Sequence, residues 1–162
     1  MSQIDNQTTA ALLSSLNNQR EHVLGALEAL PDEALRLAVL PTGWTCLGLV
    51  HHLTMDVERF WFRRVLLGES VDIPENAWQV PPDMRADAVL GGYRQEIERA
   101  NEIIAATPLD TAPAWWPDFF GSFRLDDLRE VMLHVITETA CHAGHLDAAR
   151  ELIDGKTWLV LG

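Results

Sequence analysis

Positive charge is scarce in this chain. Lys and Arg total 12 against 24 Asp and Glu, a formal net charge of −12. No basic run occurs anywhere. Nucleic acid and anionic membrane surfaces are bound through Lys and Arg contacts to phosphates or headgroups, so neither is expected as a partner. Cysteine is nearly absent as well. Cys46 and Cys141 form no CxxC motif and no disulfide framework, which points to a reducing cytoplasm. The opening residues, MSQIDNQTTAALLSSL, lack the basic start and long apolar stretch of a signal peptide. No apolar run approaches the ~20 residues that a membrane span needs. Period-two alternation is missing, and so is any repeat of about 20–50 residues. What these absences leave is a soluble helical protein.

Long helix-period segments, punctuated by Pro and Gly, fill the chain. At 162 residues it suits one domain spanning 1–162, large enough to bury a core without staples. The spacing of Leu12, Leu16, Val23, Leu27 and Leu30 predicts a first helix over Thr8 to Leu30, stopped by Pro31. A single helical turn can follow at 31–35, where Pro31 and two acids suit a helix start. Thr45 is placed to cap a second helix that runs to Leu67 and ends at Gly68. The stretch from Glu69 to Pro82, with three prolines and Trp78, reads as an ordered loop. A third helix is expected over Arg85 to Thr107, turning Val89, Tyr93, Ile97, Ala100 and Ile104 inward. Pro108 to Phe123 is a second loop, dense in aromatics. Trp115 and Trp116 there read first as packing residues and second as pocket lining. A fourth helix spans Leu125 to Ile153, with Gly155 just past its end. The expected fold is all-α, a four-helix bundle with long inter-helix loops.

The fourth helix carries the chemistry. His134, Glu138, His142 and His145 lie four, four and three residues apart, within one helical stripe. Its apolar face is set by Leu128, Val131, Val135, Leu146, Ala149 and Ile153. On a helical wheel His142 falls inside that face and Glu138 at its edge. His134 and His145 sit further round. A carboxylate turned toward a bundle core is costly unless it is paired or metal-bound. Glu138 and His142, one turn apart, make the best two-ligand clamp on the helix, as in motifs that place ligands at i and i+4. Glu138 and His145 are about 10 Å apart along the axis, too far to share one ion readily. The plainer reading makes His142 a buried core histidine hydrogen-bonded to Glu138; the spacing favours metal.

A third ligand must come from another helix. His51 and His52 of the second helix flank an apolar face centred on Cys46, Val50, Leu53, Val57 and Phe60, and periodicity does not choose between them. His22 of the first helix is a remoter alternative.

Trp44-Thr45 followed by His52, together with the run HVITETACHAGHLDAARELIDG, resembles the signatures of the DinB-like superfamily of metalloenzymes. The likeness covers nearly the whole chain, and its last-helix part resembles an uncharacterised branch. It implies a four-helix bundle in which one histidine of helix two and two residues of helix four hold a divalent metal. Carried over residue by residue, these are His52, Glu138 and His142. Many members have histidine where Glu138 stands; glutamate there resembles mycothiol-dependent maleylpyruvate isomerase.

Two histidines and one carboxylate leave coordination positions open, as in catalytic zinc and non-haem iron sites. Zinc is the metal first expected, with nickel, iron or manganese also accommodated. By resemblance, the metal activates a low-molecular-weight thiol, mycothiol or bacillithiol, for S-transfer or isomerisation of a small-molecule substrate. Hydrolysis by a bound water is a further outcome of such a site. The alternative class is a non-catalytic bundle that keeps the site to bind a small ligand or partner. Asp56, one turn after His52, stands as an orienter of that ligand, as a weak catalytic candidate, or equally as a solvated acid. His51 and His134 read as surface residues or supports of the ligands. His145, Asp147 and Arg150 read as a salt-bridged helix surface. Cys46 and Cys141 read as small buried apolar residues; Cys141 points about 100° away from His142. Trp158-Leu159-Val160-Leu161 is apolar surface that a homodimer would cover, or that folds back on the bundle.

Overall fold

The computed structural model describes residues 3–158. Helix α1 (Gln3–Ala26) is followed by a single turn, α2 (Asp32–Leu35), and by α3 (Cys46–His52). The chain then continues without a break as a π-helix, Leu53–Leu66. Helix α4 (Ala86–Ala106), a 3-10 turn (Asp118–Phe120) and helix α5 (Leu128–Asp154) complete the order. No strand occurs among the described residues, and no helix there is long and apolar enough to cross a membrane. The all-α expectation holds. Helix α1 lies along α5, and α4 along the π-segment.

Several helix ends have a local chemical reason. Thr45 accepts a hydrogen bond from the Gly48 N–H at 3.0 Å and so caps α3, as its position predicts. Asp127 caps α5 through the Glu130 N–H at 2.9 Å, while Glu130 accepts from the Asp126 N–H at 2.7 Å. This reciprocal pair satisfies two otherwise orphan donors. It also moves the start of α5 from the expected Leu125 to Leu128. Gly155 takes the left-handed conformation, φ 73°, and closes the other end. Helix α1 begins five residues before the expected Thr8 and ends at Ala26 rather than Leu30. Its last carbonyls turn to a tertiary partner instead of a further helical turn. Arg150 of α5, buried, donates to the carbonyls of Ala26 and Glu28 at 2.9 and 2.8 Å. Arg150 is therefore a buried helix-end anchor, not part of a solvated surface.

The inner faces agree with the periodicity, with one instructive shift. Leu16, Val23, Val50, Leu53, Tyr93, Ile104, Val131 and Leu146 are fully buried in one contiguous core. In the π-segment Trp61 is buried and Phe60 only half-buried. A π-helix closes i to i+5 hydrogen bonds, so its inward face advances by more residues per turn than an α-helical wheel assumes. Cys46 is buried as expected, and burial pushes its thiol up to about 11. Cys141 is exposed, against expectation, because it lies on the outward side of α5. Trp158 folds back on α1 and stacks on His22 at 4.6 Å between ring centroids. Leu159 to Leu161 lie outside the described residues.

Candidate metal centre

The loop after the π-segment prepares the site. His51, buried, holds the Ala77 carbonyl through Nδ1 at 2.7 Å. Gly48, one turn earlier, lets the loop backbone approach: a Cβ there would stand 2.3 Å from the Trp78 carbonyl oxygen. These two contacts press the loop onto α3 and lay Trp78 flat against the neighbouring imidazole, His52, at 4.1 Å and 16°. Trp78 also meets His142 edge-on at 5.6 Å. The adjacent histidines of helix two thus divide their work. His51 fastens the loop, and His52 faces α5.

His52, Glu138 and His142 converge. Each offers one ligand atom, and the three atoms lie within 4.8 Å of one another. The rings of His52 and His142 are perpendicular, with centroids 5.0 Å apart. His142 Nε2 stands 3.7 Å from Glu138 Oε2, too far for a hydrogen bond. That spacing is close to the roughly 3.4 Å between two donors that each sit ~2.1 Å from one tetrahedral ion. His52 and His142 are mostly shielded, with side chains 14% and 12% exposed, whereas Glu138 is 41% exposed. The cluster is therefore open to solvent on the Glu138 side.

Protonation favours ligation. Burial, reinforced by the neighbouring His52, pulls the pKa of His142 down to about 4. Its ring is then neutral at physiological pH, with a lone pair available. His52 Nδ1 donates to Asp56 Oδ2 at 2.9 Å, which leaves the lone pair of Nε2 free to coordinate. A carboxylate behind the far nitrogen of a ligand histidine fixes its tautomer and orientation. Of the roles open to Asp56, this contact fits that of an orienter of His52.

The other sequence-marked residues fall into different places. His145 Nδ1 reaches His142 Nδ1 at 3.4 Å, with His145 itself exposed, so it backs a member of the cluster from outside. His134 is half-buried against Trp61, ring centroids 4.5 Å apart, and burial lowers its pKa. His22 does not approach the cluster; it bonds Asp147 at 2.7 Å. Trp78 was not legible as a site residue, because its place depends on loop contacts that no periodicity encodes.

Beside the cluster lies an open cavity of about 680 Å³. Asp56 links the two, bonding His52 of the cluster with one oxygen and lining the cavity. Trp115 is part of the wall, the second of the roles expected of it; Trp116 packs behind, against Trp61 and Phe120.

A helical protein with two imidazoles and a carboxylate gathered at one open site is the class these features define. Within it, the family model described as mycothiol-S-transferase matches residues 11–155. The chain belongs to this family, in line with the DinB-like resemblance of its motifs. No curated protein and no solved structure matches the chain.

Proposed function

We propose that this protein is a divalent-metal-dependent transferase acting on the thiol of mycothiol, with His52, Glu138 and His142 as the metal ligands and zinc as the metal. The observation that carries the reading is the convergence of these three donors within 4.8 Å on an open side of the bundle. The donor set suits the ion: two imidazoles and one carboxylate, with room for a further ligand. When bound, such an ion lowers the pKa of a coordinated thiol toward neutrality. The chain's own residues do the rest. Asp56 holds His52 in the tautomer that presents Nε2, and Trp78 restrains both imidazole rings. In the transfer itself the thiol gives up its proton, sulfur bonds to an electrophilic carbon, and the leaving group departs with its electron pair. The family model supports S-transfer over isomerisation.

Elemental analysis of the purified protein, followed by mycothiol conjugation with and without chelator, tests this. About one divalent ion per chain and chelator-sensitive conjugation are expected. Protein that holds no divalent metal, or metal content that His142→Ala leaves unchanged, would end the reading.

A further inference from the structure

The cavity beside the cluster has a composition that the metal does not account for. Phe60, Trp61, Trp115, Phe119 and Phe120 give it aromatic walls, and Arg64 supplies a guanidinium. In a chain with twice as many acids as bases, most arginines are held by carboxylates. Arg20, Arg59, Arg63 and Arg99 bond Glu58, Glu96, Glu69 and Glu102. Arg64 does not. Among the described residues it pairs with no carboxylate; it donates to the Glu69 carbonyl at 3.3 Å and lies over the Trp115 ring at 4.3 Å. A guanidinium has five donors, so most of its capacity is unspent where it lines the cavity. Stacking on Trp115 holds it in place. The acids of the lining offer it little competition. Asp56 is engaged by His52, while Asp72 and Glu75 are exposed, where solvent and salt screen them.

We infer that this cavity is the subsite for the electrophilic co-substrate, and that it selects a planar aromatic molecule carrying one carboxylate or similar anionic group. The ring packs against Phe60, Trp115 and Phe120, and the anion pairs with Arg64. This rests on the transferase reading, because Asp56 is what joins the cavity to the cluster.

Naphthoate and its neutral analogue naphthalene methanol are suitable probes, titrated calorimetrically into the full chain whose metal content is measured in the same sample. Wild-type protein is expected to bind naphthoate about tenfold more tightly than the alcohol, the scale of one partly screened charge-assisted hydrogen bond. Arg64→Gln removes that preference and leaves the alcohol within about twofold, whereas Arg64→Lys restores part of it. Equal binding of the two probes by wild type, or naphthoate binding unchanged in Arg64→Gln, overturns the subsite. If metal is held but the carboxylate preference is absent, the subsite falls and the metal reading stands. If Arg64-dependent naphthoate binding occurs without metal, the subsite stands and the metal reading falls.

Discussion

Two groups of polar side chains are drawn into this bundle, and they are finished differently. In the first, Arg20 and Glu58 meet in a bidentate pair at 2.7 and 2.6 Å, with side chains 2% and 0% exposed. Asn17 and Asn101 take a further arginine N–H each, at 2.8 and 2.7 Å. Every charge there has its opposite. The second group, His52, Glu138 and His142, brings three electron-pair donors within 4.8 Å of one another, with His142 Nε2 and Glu138 Oε2 3.7 Å apart. A buried charge that is fully paired serves the fold; converging electron-pair donors are the arrangement on which the proposed metal reading rests. Both groups join two or more helices, so polarity and burial do not separate them. The balance of donors and acceptors does.

The sharpest way to break this comparison is to unpair the first group. Glu58→Ala leaves Arg20 buried without a counter-ion and is expected to cost about 3–5 kcal/mol in denaturant unfolding, with metal content per folded chain unchanged. A cost below about 1 kcal/mol would show that the pair is not the structural element its geometry implies. Next in size is His142→Ala. It should weaken zinc binding by more than about a hundredfold, since even an orienting partner of a ligand is worth about 10–100-fold. The metal-free variant should lose little stability, because His142 contributes no ion pair when neutral. Asp56→Asn comes third. It keeps the shape but weakens the hold on the His52 tautomer, and zinc affinity is expected to fall about tenfold or more by competition with a chelating dye.

The smallest effect is on pH dependence in chelated protein. The folded pKa of His142, about 4, lies below the ordinary 6.5. Between those values the unfolded chain binds the extra proton, so this contribution to stability is full above pH 6.5, falls as pH drops toward 4, and levels off below. The slope should be modest, on the order of 1 kcal/mol in total once solvent screening is allowed for. It should flatten in His142→Gln. An unchanged slope in that variant would assign the titration elsewhere.

Much of this was legible from residue order. Helical spacing placed Glu138 and His142 together, Thr45 and Gly155 marked helix ends, and the apolar stripes matched the buried faces of α1, α4 and α5. The misses share a cause. Arg150 caps the end of a helix more than 120 residues away in the chain. Cys141 faces outward, although composition favours burial. Trp61 replaces Phe60 inside because the backbone changes to π geometry after His52. Each depends on contacts or backbone hydrogen bonding that a helical wheel does not contain.

By itself, then, the sequence determined the helices, their apolar faces and the i,i+4 pair on the last of them. These follow from spacing along a regular backbone, a local property. Periodicity left His51 and His52 equivalent, and only tertiary structure separates them physically. One is turned to the Ala77 carbonyl, while the other stacks on Trp78 and faces His142. That choice was made where the loop, α3 and α5 meet, because a site assembled from three segments is set by how they pack.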